Sequence, residues 1–549
     1  PNNLSEYDWT LDPDWTTFTT MIRQAAQQAH QRDKKVLMGG TSPTDLKLIE
    51  FLFEREVAQH FDAVGVHAFP GVWEHNWKNW DHLISGVRET LQAQGSEAEV
   101  WISETGYSTW DYNLHDQLKT FTEALEADVE RLYWYSLHDL HEQKAALVGF
   151  HTDEREYHFG MITASDQHKP LFSFWSKYGI DSVEAALEES DRKIESQPGT
   201  KRALITGGAG FIGTNLAKNL LDDGYEVTLF DNLSRDQVIN NLRWLQDRYP
   251  GHLNVKFGDM RNPYELREAL KDADEVYHLA GQVAVTTSLE YPLEDFEINV
   301  RGTLNLLEIL RTMGRPPGLI FTSTNKVYGS LQGLETLEQE TRYEPADARM
   351  REYGVDEDAP LDMHSPYGVS KGAADQYVLD YARMFGIPTA VFRMSCIYGP
   401  HQWGTEDQGW IAHFLLSTLK GETITLYGNG KQVRDALFVE DLVEAMRRTQ
   451  AKMEDLQGNA FNLGGGPERA VSLVEMLEVI EEITGRKPKI EFADWRPGDQ
   501  RYYVSNTSKI QRGTGWSPKT NLRQGVKRLL EDLQENRDFR TLALKERTT

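Results

Sequence analysis

The chain has 549 residues, a net charge of −27, one cysteine and a hydrophobic fraction of 39%. That length exceeds one ordinary domain, the apolar content excludes a disordered chain, and the negative charge argues against nucleic acid or an anionic membrane as partner, so a phosphate-bearing ligand needs a local basic pocket. The lone Cys396 excludes an intrachain disulfide and fits a reducing cytoplasm, no apolar run reaches the roughly 18 residues of a membrane span, and neither a secretory leader nor a metal site is expected.

Residues 1–180 are rich in Trp and His. Short apolar runs, "KVLMGG" (35–40), "AVGVHAF" (63–69), "EVWISETGY" (99–107) and "RLYWYSLHD" (131–139), alternate with amphipathic stretches such as "WTTFTTMIRQAAQQAHQ" and "LHDQLKTFTEALEA". This alternation predicts βα units around a parallel sheet. Glu104 falls at the end of a buried strand, and His67, Tyr133 and Trp134 fall at similar ends, suited to stacking on sugars and bonding their hydroxyls. Residues 181–200, "DSVEAALEESDRKIESQPGT", read as a short helix and then a linker.

A second βα series begins at Lys201. In "RALITGGAGFIGTNLAKNLLDDGYEVTLFDN", a buried strand runs into Gly207, Gly210 and Gly213, then a helix opened by Phe211 and Ile212, then a second strand ending at Asp231 and Asn232. Glycines permit the tight turn and close approach to a pyrophosphate, and the helix N-terminus offers free N–H groups to it. A carboxylate at Asp231 suits the adenosine ribose hydroxyls and favours NAD over NADP; Arg235 is the nearby residue that would suit a 2′-phosphate. Asp259 and Met260 end the strand "VKFGDM" where adenine would lie. In "EVYHLAGQVA", Leu279, Ala280 and Gln282 fall where small residues would let the middle of the cofactor lie against the sheet. Asn299 opens an amphipathic helix and is either a site residue or part of its surface.

Tyr367 and Lys371 lie four apart in "SPYGVSK", hence on one helix face. A neighbouring ammonium and a positive nicotinamide ring would favour phenolate, making Tyr367 a base for a sugar hydroxyl. Lys371 also suits the nicotinamide ribose. Thr324 follows the buried strand "GLIFTS" and can hydrogen-bond the hydroxyl being oxidised.

Residues 201–540, through "TGGAGFIG", "TSTNKVYG" and "YGVSK", resemble the extended short-chain dehydrogenase/reductases, the nucleotide-sugar epimerases and dehydratases. The strings "AGQVAVTTS", "FRMSCIYGPHQWGTEDQGW" and "GKQVRDALFVEDLVEA" are most similar to the branch that inverts C2 of CDP-3,6-dideoxyhexoses. The resemblance implies an NAD-binding Rossmann domain, a doubly wound parallel α/β sheet with a small C-terminal substrate part, over 201–549. It implies epimerisation by transient oxidation to a keto sugar, with NAD held throughout, and it leaves a homodimer open. By family position, Arg434 and Arg496 are expected on the diphosphate of a CDP-hexose, with Asp499 on the nucleotide ribose or orienting Arg496, and Gln408 near sugar or base. Asn325 and Lys326 stand where the 4,6-dehydratases carry an Asp-Glu pair, so the groups for water elimination are missing. A UDP-sugar 4-epimerase and a binder of NAD or nucleotide sugar without turnover are the alternatives. Cys396 reads as packing rather than a nucleophile.

The first 180 residues resemble the C-terminal half, strands five to eight, of a retaining (β/α)8 glycoside hydrolase. The resemblance makes Glu104 a vestigial nucleophile and puts Pro1 just after the acid/base Glu of that clan. Retaining hydrolysis needs two carboxylates ~5 Å apart, so no glycosidase activity is expected from this partial barrel.

Overall fold

The computed structural model describes residues 12–74, 76–141, 153–192, 199–235, 237–331, 333–496 and 499–535. The opening string that contains Pro1 lies outside them. The chain divides into two units, 1–188 and 189–549. The division falls inside the helix Asp181–Asp191, which occupies the first part of the stretch expected to link the halves.

In the first unit, four parallel strands pair in chain order: Leu37–Met38, Ala63–Ala68, Glu99–Thr105 and Arg131–Trp134. Val64, Val66, Val100 and Ile102 face Ile49, Leu52, Trp80, Ile84, Val87 and Leu91 in one buried cluster. The helices start where the sequence supplies caps: the side chains of Asn79 and Asn113 accept from the N–H groups of His82 and Asp116. The first strand is shorter than "KVLMGG" predicts. Gly40 lies under the His67 ring, and a Cβ there would meet His67 Cδ2 at 2.4 Å, so the chain leaves the sheet at the glycines.

The second unit is built on a seven-stranded parallel sheet. Its order is Leu253–Phe257, Glu226–Asp231, Arg202–Thr206, Glu275–His278, Gly318–Thr324, Thr389–Met394, Asn459–Leu463. Chain order reverses between Arg202–Thr206 and Glu275–His278, the switch point of a doubly wound sheet, where a crevice opens at the carboxyl ends. The central strands carry continuous apolar runs because helices cover both faces. Leu204, Val276, Leu319, Phe321 and Val391 pack against Leu266, Leu306, Leu310 and Val378. The later residues form further small sheets, with Val433–Phe438 pairing Cys396–Tyr398, Ala470–Ser472 and Tyr502–Tyr503. They have their own core around Tyr398, Phe414, Phe438, Met476 and Leu529.

Candidate active site

The glycine turn works by exclusion of side chains. Gly207 is left-handed at φ 69°, and a Cβ on it would lie 2.7 Å from the Ala280 nitrogen. A Cβ on Gly213 would lie 2.5 Å from the Gly207 carbonyl oxygen, so glycine there lets the helix Phe211–Asp222 sit down on the turn. Gly210 is its N-cap and offers no side-chain oxygen, leaving the first-turn N–H groups of Phe211, Ile212 and Gly213 for an anion. Asp231 accepts from the Ala209 and Leu233 N–H groups, both at 2.9 Å, tying turn to strand end and keeping lone pairs for a ribose diol. Asn232 donates to Asp259 at 2.9 Å, and Arg261 grips both oxygens of Asp259 at 2.8 Å. Burial works to raise the Asp259 carboxyl, but the Arg261 guanidinium outweighs it and holds the group below the usual range. Met260 is buried under Gly302.

The crevice floor is tied by hydrogen bonds between the strand ends. The Leu279 N–H donates to the Thr206 carbonyl at 3.0 Å and that of Ala280 to the Thr206 hydroxyl at 3.3 Å. His278 bridges the hydroxyls of Thr206 (2.8 Å) and Thr303 (3.0 Å), and burial pushes it down to about 3, so it is neutral. Asn299 is buried rather than part of the helix surface. It lies in a π-helical turn, Glu297–Arg301, whose extra residue turns its amide inward. There Asn299 accepts from the Gln282 N–H at 3.0 Å and donates to the Gln282 carbonyl (3.1 Å), to Asp295 (3.2 Å) and to Ser370 (3.0 Å). It thus locks the segment 280–282 to the helix that carries the Tyr-Lys pair.

That helix, Ser365–Phe385, starts at a left-handed Ser365 (φ 64°), a strained conformation of the kind that collects at functional sites. It brings together Tyr367, 8% exposed, and Lys371, 4% exposed, beside Thr324 at the end of its strand. The Thr324 hydroxyl accepts from the Lys326 N–H at 3.2 Å. For Tyr367 the protein's own surroundings act against the phenolate that Lys371 and a nicotinamide ring would favour. Burial pushes the phenol up; the Thr324 hydroxyl and the Arg235 charge pull it down, and Asp295 adds to the rise. Desolvation outweighs the charges because the ring is packed in the crevice. Lys371 is itself taken by burial from 10.5 to about 8, against the pull of Asp295 and Asp375. Its ammonium lies 4.4 Å from the Phe321 ring centroid and has no hydrogen-bond partner among the described residues. A buried donor in that state, beside a glycine cradle, fits the ribose and pyrophosphate of NAD.

The lysine gives a stability test. The folded protein binds the Lys371 proton more weakly than the unfolded chain does. The cost of burying it is therefore full below pH 8 and disappears as pH rises toward 10.5. We expect cofactor-free wild type to gain about 2 kcal/mol on Lys371→Met between pH 8 and 9.5, measured by denaturant unfolding.

On the substrate side, Arg434 is buried and donates to Asp499 at 2.7 Å and to the Val433 carbonyl at 2.8 Å. Asp499 therefore orients Arg434 and not Arg496. Arg496 stacks 3.9 Å over the Tyr427 ring and pairs with Glu406 (3.0 Å) and Asp407 (3.3 Å). Gln408 bonds Arg235 rather than any of these groups. Lys326, expected only as one of the two residues that replace the Asp-Glu pair of the dehydratases, joins the cluster. Its ammonium lies 3.9 Å from Asp499, and burial and then Arg434 push it down. The Cys396 sulfur accepts from the Trp410 indole at 3.2 Å and burial holds it as a thiol.

In the first unit, Glu104 lies next to last in its strand, with His67 Nδ1 at 3.2 Å. Burial pushes the carboxyl up and Glu156 adds to the rise; the sequence reading did not single out Glu156. Tyr133 is exposed and Trp134 packs against Phe121. Among the described residues, no group of three His, Cys, Asp or Glu could hold a metal, and no helix is long and apolar enough to cross a membrane.

A glycine-cradled switch point with a Thr-Tyr-Lys set at the next strand ends defines a class, and the family described as GDP-mannose 4,6 dehydratase matches residues 204–529. The chain belongs to this family of extended short-chain dehydrogenase/reductases. It is 43% identical over 337 residues to the CDP-paratose 2-epimerase of Salmonella typhi, covering 60% of this chain and 98% of that protein. It is 30% identical to a putative UDP-glucose 4-epimerase of Methanocaldococcus jannaschii, covering 61% and 98%. Among solved structures, the Thermus thermophilus UDP-glucose 4-epimerase with NAD aligns at TM-score 0.51 and 30% identity, over 61% of this chain and 99% of that one. The Bacillus cereus UDP-glucuronic acid 4-epimerase with UDP-glucuronic acid and NAD aligns at 0.53 and 26%, over 61% and 99%.

Proposed function

We propose that the second unit is an NAD-dependent nucleotide-sugar epimerase that converts CDP-paratose to CDP-tyvelose. The observation that carries the reaction type is the buried Thr324, Tyr367 and Lys371 set beside the glycine cradle. The likeness to the Salmonella typhi enzyme along nearly all of that protein's length supports the substrate. NAD would lie along the turn at 207–213, with Asp231 and Asn232 at the adenosine ribose, Asp259 and Met260 at adenine, and Leu279, Ala280, Gln282 and Asn299 beneath its middle. When bound, it supplies the acceptor and donor of a hydride. Tyr367 takes the proton of the C2 hydroxyl, Thr324 hydrogen-bonds that oxygen, and Lys371 holds the ribose and the phenolate. A carbinol carbon carries no acidic proton, so inversion needs a keto intermediate. Arg434, oriented by Asp499, holds the diphosphate while the sugar turns, and Arg496 joins it on leaving Glu406 and Asp407. Tyr367 then returns the proton to the oxygen. Lys326, two residues after Thr324, offers an ammonium where elimination would need a carboxylic acid.

The purified chain, given CDP-paratose and no NAD, is expected to yield CDP-tyvelose by NMR at C2. Absence of conversion with NAD present in the protein would reject this substrate, and UDP-hexoses are then the next to try, given the 4-epimerase relatives.

The partner we infer is a second copy. Leu289, Leu293 and Phe296 on two short helices, and Val369, Tyr377, Met384 and Phe385 on the adjoining helix Ser365–Phe385, form an exposed apolar face with ion pairs of both signs near it, such as Asp380 with Arg383. Such a face suits an isologous contact. Sedimentation equilibrium at micromolar protein is expected to give a dimer. For the first unit we infer a glycosidase-like remnant without turnover; Glu104→Gln is expected to leave epimerisation unchanged.

A further inference from the structure

The loop after the strand Glu226–Asp231 meets a turn that lies 173 residues downstream. Asp231 accepts the Leu233 N–H at 2.9 Å, and Leu233 is left-handed at φ 51°, turning the chain two residues before Arg235. The downstream segment is tied to the glycine turn: the Asn241 amide donates to the Ala209 and His401 carbonyls, both at 3.2 Å, and accepts from the Trp403 indole at 3.1 Å. The pyrophosphate position lies at that turn, above the N–H groups of Phe211, Ile212 and Gly213. A tight turn comes from the other side: Thr405 and Gln408 exchange backbone hydrogen bonds at 2.8 and 3.1 Å, and Gly409 leaves it at φ 71°. Its next-to-last side chains reach both ways. Gln408 accepts from Arg235 Nη2 at 2.5 Å, while Glu406 and Asp407 hold Arg496 on the substrate side.

We propose that Arg235 and Gln408 form a clasp that closes over the pyrophosphate of bound NAD, with Arg235 as a cofactor-binding residue and Gln408 as the residue that positions it. Gln408 is thereby taken from the sugar and given to the cofactor. The chemistry explains the need. An epimerase of this kind holds a keto sugar and reduced cofactor together while the sugar turns, and loss of the cofactor at that moment ends the cycle with the wrong product. A guanidinium on the outer face of the pyrophosphate, opposite the helix N-terminus, adds charge-assisted hydrogen bonds that an acidic chain otherwise lacks there. The amide oxygen of Gln408 holds the fork without neutralising it, which a carboxylate would do.

The inference rests on the cofactor site but not on the sugar, so its test does not use turnover. Full-length wild type, Arg235→Met, Gln408→Ala and the double variant are stripped of cofactor, checked for equal unfolding midpoints, and titrated with NADH by fluorescence. Arg235→Met is expected to weaken NADH about ten- to a hundredfold. Gln408→Ala is expected to weaken it about three- to tenfold, and to have no further effect once Arg235 is Met. NADH affinity equal to wild type in Arg235→Met would overturn the proposal, as would a Gln408→Ala effect of the same size in both backgrounds. A wild-type chain that binds no NADH would overturn the cofactor site and the clasp together. Binding as expected with no conversion of CDP-paratose would leave the clasp standing and reject only the substrate.

Discussion

Tyr367→Phe is expected to reduce epimerisation about a thousandfold and to leave NAD in the protein. The substitution removes one oxygen from a ring that is 8% exposed, so packing is nearly unchanged. A positioned general base is worth roughly 10² to 10⁴ in rate. The lower part of that range does not apply, because no second base stands at the reacting oxygen. Thr324 is a hydroxyl with no neighbouring acceptor strong enough to ionise it, and Lys371 reaches the site from one helical turn on. Cofactor retention follows from the division of labour. The glycine turn, Asp231 and Lys371 would contact NAD through atoms the substitution does not touch. The assay is NMR of C2 configuration on one sample and acid release of NAD from another. Residual turnover above about a tenth of wild type would move the base from Tyr367 to another group.

The parts of the site that read directly from sequence are those made by neighbours along the chain. A glycine at 207, 210 and 213 between an apolar strand and an amphipathic helix has one conformational meaning, and Tyr367 with Lys371 shares a helix face by spacing alone. Asn299 was half legible: its place in the helix could be read, but the π-turn that aims it inward depends on Gln282 and Ser370 meeting it from elsewhere. Pairs joined across the sheet were illegible. Asp499 reads as a partner of the nucleotide ribose or of its neighbour Arg496, whereas the backbone path puts it beside Arg434. Arg235 and Gln408 are 173 residues apart and carry no shared local signal. What opposes ionisation of Tyr367 is hidden for a related reason. Charge neighbours can be read from a motif, whereas the depth of burial that opposes them is a property of the packed crevice.

The same separation hides the group on which the position of the catalytic helix depends. Asp375, eight residues after Tyr367 on that helix, is fully buried, and Arg393 of the strand Thr389–Met394 grips both of its oxygens at 2.9 and 3.0 Å. Arg393 also donates to the Tyr328 phenol oxygen at 3.1 Å, whose hydroxyl donates to Asn462 at 2.7 Å, and Asn462 donates to the Val355 carbonyl at 2.9 Å. Burial pushes Tyr328 up to about 12, so it stays a neutral donor in this chain. Every hydrogen of the Asp375 contact is directed, and no water-facing escape exists for the guanidinium if the carboxylate is removed. Asp375→Ala is therefore expected to cost about 3–5 kcal/mol, the penalty of a buried charge left alone, read as a fall in the denaturant midpoint of the second unit. A lost packing contact alone would be insensitive to what stands at 393. Asp375→Leu combined with Arg393→Met removes both charges, and it is expected to recover most of that stability, since apolar replacement of a whole buried pair is often neutral. If the double variant is as unstable as Asp375→Ala, the network acts through shape rather than charge. If it is stable and still epimerises, the ion pair fixes where the helix sits without taking part in the chemistry of Tyr367 and Lys371.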